Sequence, residues 1–469
     1  MAFRAPLGLA LIVMTIASGG GACTCSRGTE AGASDAAGDS EPRAADDAAA
    51  ATADAGEPGG LSAPIAAARG EGGDVVVAGL DVPARAIRVQ RISPKDEVTA
   101  DRTIFEGVKW SSESELRVVP AAGGVAVTWR GLRGGKLVRQ LLILGSDLAS
   151  KGDVIDVAAA SCATRDALWF TDGKRVHGRP WTGRPTRSDL PRDKDAALVC
   201  GQHRAFALLD EDDGTSLLVL GGGDAANELD AGKSTAAGKG ADAGKIAVSA
   251  GAIPLLKESD FGEDDQRERA EYTVGDDLGV VRLAVSGAVA MREVRAGTPG
   301  PLRRLKTTIP RDDDVVAVDA SPRAVVVVFT EDVGEGCSGE GGTTPSTRIK
   351  ALRVDRISFE ESIVELSPGM CGREVGPFFT GALGDAVSVA WVERVPIAGQ
   401  ARAPVDGLAH RLVVPAGPLG DLVRSDQPAD ALVDAGCFSG PDRGCYAVAL
   451  ARKAGMDAMV PGVARVIRY

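Results

Sequence analysis

The sequence predicts an all-β fold, a β-propeller of seven or eight blades behind a disordered N-terminal tether. Three observations carry this expectation. A short apolar strand recurs along the chain, its copies stand at blade-sized intervals, and the turns between apolar runs carry hairpin chemistry. The strand is clearest at Arg204-Ala205-Phe206-Ala207-Leu208-Leu209. It returns as Asp166-Ala167-Leu168-Trp169-Phe170, Arg323-Ala324-Val325-Val326-Val327, Asp385-Ala386-Val387-Ser388-Val389 and Gly444-Cys445-Tyr446-Ala447-Val448, with a looser copy at Gly123-Gly124-Val125-Ala126-Val127.

The small position of this strand falls at Gly124, Ala167, Ala205, Ala324, Ala386 and Cys445, giving gaps of 43, 38, 119, 62 and 59 residues. The longest gap fits two units, and a degraded copy lies inside it at Leu278-Gly279-Val280-Val281-Arg282-Leu283. Val75 to Gly79 opens one more. Units of this length with three or four strands each describe propeller blades. Alternation agrees: Val387, Val389 and Trp391 point one way, while Ala386, Ser388 and Ala390 point the other. Neither face is strongly polar, as expected where both faces of a blade pack on neighbours. A pair of β-sandwich domains is the alternative, but a solvated outer face calls for charges at alternate positions. Trp169 to Val176 reads as a hairpin around Asp172-Gly173, a pair that tolerates positive φ.

Composition excludes some partners. The net charge of −12 and pI near 5.0 give no basic face for nucleic acid or for an anionic membrane surface. Aromatics make up only 4% of the chain against 60 Gly, which suits closely packed layers better than a roomy pocket.

The N-terminus reads as an address. Arg4 precedes an apolar run from Leu7 to Ile16, too short to span a bilayer stably. Ser18-Gly19-Gly20-Gly21-Ala22 then leads to Cys23. Residues 1–22 are expected to be a signal peptide. The small residues before Cys23 resemble the lipobox of bacterial lipoproteins, although that family usually has an aliphatic residue where Gly20 stands. The resemblance implies lipidation at Cys23 and a membrane anchor; cleavage after Ala22 by ordinary signal peptidase is the alternative. Thr24 is not the Asp that favours inner-membrane retention in that family, so the outer membrane is the expected destination, and the periplasm or secretion otherwise. Residues 23–70 are Ala, Gly, Asp, Ser and Pro with almost no large apolar side chain; such a segment cannot offset the entropy of ordering. As a flexible tether it holds the body about 40 Å from its anchor. The propeller is expected over 71–469, with a low-complexity Gly/Ala/Asp/Lys insertion at 221–245 and a second, highly charged loop from Ser259 to Glu271.

Eight cysteines in an exported chain point to disulfides. Cys437 and Cys445 flank a Gly-Pro-Asp turn and suit a hairpin staple. Cys337 and Cys371 border Gly-rich turns of one unit. Cys162 and Cys200 each stand five residues before the small position of their own repeat, which places them at equivalent points of adjacent blades. Cys25 is left alone in the tether. Zinc is disfavoured, because no C-x-x-C occurs and the three histidines are scattered.

No chemistry is legible beyond this, and no cofactor is expected. Gly221-Gly222-Gly223 with Gly232-Lys233-Ser234 fails as a phosphate loop, since Asn227 stands where its first Gly belongs. The acidic turns Asp210 to Gly214, Asp264-Asp265, Asp276-Asp277 and Asp312 to Asp314 read as solvated hairpin turns before they read as calcium loops. No nucleophile motif is present, and His177, His203 and His410 read as structural or exposed. Trp129, Trp169 and Trp391 belong to the core; Trp110 and Trp181 are the candidates for exposure.

Two functional expectations remain. The first is a non-enzymatic envelope binding or scaffold module with an envelope protein or glycan as ligand. In layout alone it is similar to the propeller lipoproteins that help assemble outer-membrane proteins. The second is an exported propeller enzyme acting on glycan or peptide at the central channel. A quinone-dependent dehydrogenase would need aromatic docking repeats, and the chain has none.

Overall fold

The recurring strand is the second strand of each blade. In the computed structural model of the chain, Gly124, Ala167, Ala205, Ala324 and Ala386 each open such a strand, and Cys445 follows Gly444 at the start of another. The structure describes residues 61–468 apart from 82–83, 108, 110–114, 122, 134–135, 158–160, 182–185, 191–195, 212–213, 221–252, 258–265, 340–341, 371–373, 395–404, 426–430, 439–443 and 452–462.

Eight antiparallel sheets follow one another along the chain. Blade 1 is β1 (Ser62–Arg69), β2 (Val75–Asp81), β3 (Ala86–Ile92) and β4 (Val98–Glu106). Blade 2 is β5 (Glu115–Ala121), β6 (Gly124–Arg133), β7 (Lys136–Gly145) and β8 (Ile155–Val157). Blade 3 is β9 (Cys162–Ala163), β10 (Ala167–Thr171), β11 (Arg175–Pro180) and β12 (Thr186–Asp189). Blade 4 is β13 (Ala196–Cys200), β14 (Ala205–Glu211), β15 (Gly214–Leu220) and β16 (Ile253–Lys257). Blade 5 is β17 (Gln266–Val274), β18 (Asp277–Ala284) and β19 (Ala288–Arg295), whose outer edge carries both β20 (Thr298–Pro299) and β21 (Arg303–Thr308). Blade 6 is β22 (Asp314–Ala320), β23 (Ala324–Gly339), β24 (Gly342–Asp355) and β25 (Glu361–Met370). Blade 7 is β26 (Glu374–Leu383), β27 (Ala386–Arg394), β28 (Val405–Val413) and β29 (Val423–Ser425). Blade 8 is β30 (Ala431–Phe438), β31 (Gly444–Ala451) and β32 (Val463–Arg468).

The first strands touch in order, β1 to β5 to β9 to β13 to β17 to β22 to β26 to β30, and β30 returns to β1. They form the wall of a closed hub, and the fold is an eight-bladed propeller. The expectation of seven or eight blades resolves to eight because Val75–Asp81 and Asp277–Ala284 are full second strands.

Two boundaries are corrected. Composition placed 23–70 in the tether, but Ser62–Arg69 is the hub strand β1, with Ala66, Ala67 and Ala68 buried. Small side chains look like linker in a sequence, yet at a hub where eight strands converge they are what fits. The charged stretch from Ser259 to Glu271 has the composition of a loop, but from Gln266 onward it is β17, the hub strand of blade 5. Its charges are carried by ion pairs described below. The insertion at 221–245, the lipobox and Cys25 lie outside the described residues.

The core divides by blade interface. Val387, Val389 and Trp391 pack on Ala324, Val326 and Val328 of blade 6. From the other face of the same strand, Ala390 and Val392 pack on Ala447 and Ala449 of blade 8. The pattern repeats: Trp169 meets Ala205 and Ala207, and Trp129 meets Val76 and Ala78. Large side chains sit against small ones, so the sheets interlock at interior packing density. Truncating a buried tryptophan in such a layer costs about 3–5 kcal/mol. One glycine shows how tight the layers are. At Gly279 a Cβ would lie 1.9 Å from the Tyr272 ring, which covers that position from the neighbouring strand.

Local chemistry closes the hairpins. Between β10 and β11 only Gly173 takes a positive φ, 88°. Asp172 acts through its side chain instead, its Oδ1 accepting the amides of Lys174 at 2.9 Å and Arg175 at 2.8 Å.

Cys162 on β9 and Cys200 on β13 are bonded across adjacent blades. Cys437 and Cys445 are bonded across the β30–β31 hairpin, where they face each other in register. The Cys337–Cys371 pairing lies outside the described residues. The inter-blade bond has a sequence separation of 38 residues, and closing a loop of that size stabilises by about 2–4 kcal/mol. Replacing both Cys162 and Cys200 by Ser will lower the urea unfolding midpoint accordingly. The variant, unlike the wild type, will lose the corresponding part of its sensitivity to reductant.

Candidate functional site

The charged residues of the hub and of the blade junctions are the natural place to look for chemistry. Arg269 lies on β17 and is nearly buried, its side chain 8% exposed. Its guanidinium pairs with Asp210 of blade 4, donates to Thr215 Oγ1 at 2.9 Å, and holds Glu271 Oε1 at 2.8 Å. Burial pushes the Glu271 carboxyl above its ordinary range, against the pull of Arg269. The group therefore joins blades 4 and 5 through Asp210 Oδ1.

A second joint ties blade 6 to blade 5. Arg356, in the turn after β24, reaches Glu293 Oε1 on β19 at 2.6 Å and Asp277 Oδ2 at 3.7 Å. It also donates to the carbonyl oxygens of Ser321 and Pro322, both at 3.3 Å. The Tyr272 hydroxyl donates to the same Glu293 oxygen at 3.1 Å. Burial opposes the Glu293 charge, but Arg356 and Arg295 outweigh it and hold the carboxyl below its ordinary range. In blade 7, Glu393 accepts from Trp391 Nε1 at 3.2 Å and from Arg424 at 3.2 Å.

One face of the ring carries a chain of contacts between the turns that lead into second strands. The Arg165 amide donates to the Gln202 carbonyl, and the Gln202 amide to the Gly275 carbonyl. Asp276 Oδ1 accepts the amides of His203 and Arg204. Thr164 and Ser321, three residues before Ala167 and Ala324, each accept the amide of that alanine. Ser321 also donates to the Asp385 carbonyl of blade 7 at 2.6 Å. Asp355 closes the turn beside it, and the amides of Ser358 and Ile357 hold its carboxyl down to about 2.

Asp319 differs from these carboxylates. It stands on hub strand β22, half-buried. Its contacts are the Ala320 amide at 2.7 Å and a side-chain hydrogen bond to Thr380 on hub strand β26. Burial raises its carboxyl to about 6 despite both contacts.

The sequence candidates fall elsewhere. His177 stacks on Phe170 with centroids 5.1 Å apart and meets Asp172 at 2.8 Å. His203 meets Asp166 at 2.7 Å, and His410 lies on β28 with its pKa lowered by burial. The structure does not bring these three together. Trp181, expected to be exposed, packs partly against the core between blades 2 and 3. Its position just after β11 puts it at the end of a sheet, which a pattern confined to second strands could not show. Trp110, Asp264-Asp265 and the Gly221 to Ser234 segment lie outside the described residues. Among the described residues no three His, Cys, Asp or Glu side chains are placed to hold a metal ion. Sequence reading missed Arg269, Arg356 and Asp319. For Arg269 and Asp319 the signal was a charge within a strand, as at Arg282 between Val281 and Leu283; Arg356 stands in a turn, where a charge is unremarkable.

No family model matches the chain, and no curated protein does. Solved structures do. A post-proline cleaving enzyme from Rickettsia typhi shares 9% identity at a TM-score of 0.44, over 82% of this chain and 57% of that one. This chain thus spans little more than half of that enzyme's length. The WD40 domain of SCAP from fission yeast shares 9% identity at a TM-score of 0.40, over 87% of this chain and 94% of that one. An ulvan lyase of polysaccharide lyase family PL25 shares 9% at 0.39, over 87% and 93%. At these values the likeness carries no activity across.

Arg356→Met tests the blade 5–6 joint. Removing one partner of a buried pair costs about 3–5 kcal/mol. Because Glu293 is held below its ordinary 4.5 in the folded state, the stabilisation it gives is full above that value and is lost as pH falls through the folded pKa. The gap between wild type and variant in denaturant titrations will therefore narrow below about pH 4.

Proposed function

We propose that the chain is an exported, non-enzymatic β-propeller that serves as a binding or scaffold module of the cell envelope, with an envelope protein or glycan as ligand. The observation that carries this reading is the use made of buried charge. Arg269 with Asp210 and Glu271, and Arg356 with Glu293 and Asp277, join one blade to the next. A carboxylate held by a guanidinium is stabilised in its ionised form and makes a poor general acid. Charge arranged this way builds a stiff ring, and a stiff ring is a platform for recognition.

The address follows from the N-terminus. Arg4, the apolar run to Ile16 and the small residues before Cys23 support export, and Cys23 supports a lipid anchor with the outer membrane as destination. The mature N-terminus tests this. Intact-mass and peptide mass spectrometry will find a lipid-modified Cys23 as first residue, and Cys23→Ala will move the protein from the membrane fraction to the soluble one. An unmodified Cys23, or another first residue, rules the anchor out.

Asp319 favours a second reading, an exported enzyme acting on glycan or peptide at the hub. A hub carboxyl raised to about 6 is in the range that serves general acid–base chemistry near neutrality. Asp319→Asn separates the two. An enzyme loses turnover on a panel of peptides and glycans, together with a pH limb near 6; a scaffold changes only in stability. The sign of that change is fixed. A carboxyl raised in the folded state supports folding below its unfolded value of 3.8 and loses that contribution as pH rises through about 6. Asp319→Asn will gain on the wild type between pH 4 and pH 7, by about 1–3 kcal/mol.

A further inference from the structure

Arg117 on hub strand β5 and Arg269 on hub strand β17 both stand in the first half of their strands, and their partners differ. Arg269 takes a carboxylate from the neighbouring blade, Asp210, and a hydroxyl, Thr215 Oγ1 at 2.9 Å. Arg117 is half-buried. Among the described residues it has no hydrogen bond and no ion pair.

The register shows what surrounds it. Arg117 stands opposite Thr128, and Thr128 opposite Leu141; Glu115 stands opposite Arg130, and Arg130 opposite Arg139. Residues paired across strands share a face of the sheet. Leu141 packs on Leu168 and Phe170 of blade 3, so the whole set looks toward blade 3. On this face Glu115 is the described carboxylate, and it is held by Arg139 at 2.9 Å and reached by Arg130 at 4.0 Å. Burial pulls the Arg117 guanidinium below its ordinary range; Glu115 works against that pull and Arg139 adds to it.

Blade 3 supplies no charge in return. Where blade 4 offers Asp210 to Arg269, blade 3 brings Ser161, whose Oγ lies 2.9 Å from Thr128 Oγ1. The carboxylate of the blade 3 hairpin, Asp172, is taken by the amides of Lys174 and Arg175 and by His177. Thr128 and Ser161 are buried, 2% and 8% exposed. Two hydroxyls carry two protons and their mutual bond uses one; among the described residues the other has no acceptor. A buried guanidinium without counter-charge and a buried hydroxyl proton without an acceptor are both costly. One oxyanion answers both.

We propose that the junction of blades 2 and 3 at Arg117 is an oxyanion-binding site, which takes a carboxylate, sulfate or phosphate group against the Arg117 guanidinium and a hydroxyl of the Thr128–Ser161 pair. The anion fills the place that Asp210 fills for Arg269. A guanidinium fork accepts two oxygens of such a group in one plane, and the hydroxyl proton is left for a further lone pair. At a net charge of −12 the chain does not gather anions over its whole surface, so occupancy depends on this local arrangement. The site does not rest on the role or the address proposed above; under that reading the anion belongs to an acidic glycan.

Calorimetric titration of the full chain in Tris chloride at fixed ionic strength tests this, with sodium sulfate, sodium phosphate and galacturonate as probes. The wild type will bind at least one of these, with one anion per chain. Arg117→Met will weaken that binding by about tenfold or more, and so will Thr128→Val with Ser161→Ala, which leaves Arg117 in place. Arg133→Met, at an exposed arginine paired with Asp156, will leave it unchanged. Stability is a second measure on the same variants. Without the probes, Arg117→Met will unfold at a higher urea concentration than the wild type, because it removes a charge that burial penalises. Sulfate will then raise the wild-type midpoint more than the variant's. Galacturonate oligomers that bind more tightly than the monomer assign the anion to an acidic glycan; equal binding assigns it to a small free anion. The absence of saturable binding by all probes overturns the proposal, as does binding that Arg117→Met retains. An Arg117→Met chain less stable than the wild type without the probes also overturns it, by showing the guanidinium already paired.

Discussion

Packing between neighbouring blades is the interaction on which the rest of the molecule depends. Each second strand has two apolar faces and offers one to each neighbour. Trp391 and Val389 on one face of β27, with Ala390 on the other, are the plainest case. No sheet has a face that can be solvated alone, so no blade is stable without its neighbours. The ring must close, and it does so where Tyr446 and Val448 of blade 8 meet Val75 and Val77 of blade 1. Closure leaves the hub wall to the eight first strands, and the room there sets their composition.

Electrostatics is subordinate to that packing and refines it. Arginines of one blade reach into the next: Arg292 to the Leu255 carbonyl at 2.6 Å, Arg353 to the Gly417 carbonyl at 2.7 Å, Arg411 to the Glu365 and Leu366 carbonyls at 3.2 Å. A guanidinium presents several donors in a fixed fork, so one side chain can satisfy edge carbonyls and still keep its stem in an apolar layer. Apolar faces alone would allow neighbouring sheets to slide; these directional contacts fix their relative position. The covalent bond between Cys162 and Cys200 does the same for blades 3 and 4.

Much of this is legible in the sequence, and the reason is periodic. A strand buried on both faces must be apolar throughout, and repetition made Ala205–Leu209 and its copies visible above a background of Gly and Asp. Their spacing put Cys162 and Cys200 at equivalent points of adjacent blades, and the bond follows from that equivalence. Hub and edge strands were harder to see. Ser62–Arg69 hid in a small-residue segment, and Gln266–Val274 hid behind its charges. In both cases the deciding quantity was what the strand faces, which no local window contains. Asp319 was invisible for the same reason, because a single carboxylate among 65 acidic residues acquires its raised pKa only from its surroundings.

The sequence by itself determined the all-β class, the repeating strand and its spacing, and the two disulfide pairings seen here, since each depends on local pattern and spacing. Only the tertiary structure decided that the blades number eight, that the ring closes through β1 and β30, and which charges are buried at the joints. Those properties belong to residues far apart in the chain. Burial and charge pairing are set by where the closed ring brings such residues together, and the ring exists only once every blade has met its neighbours.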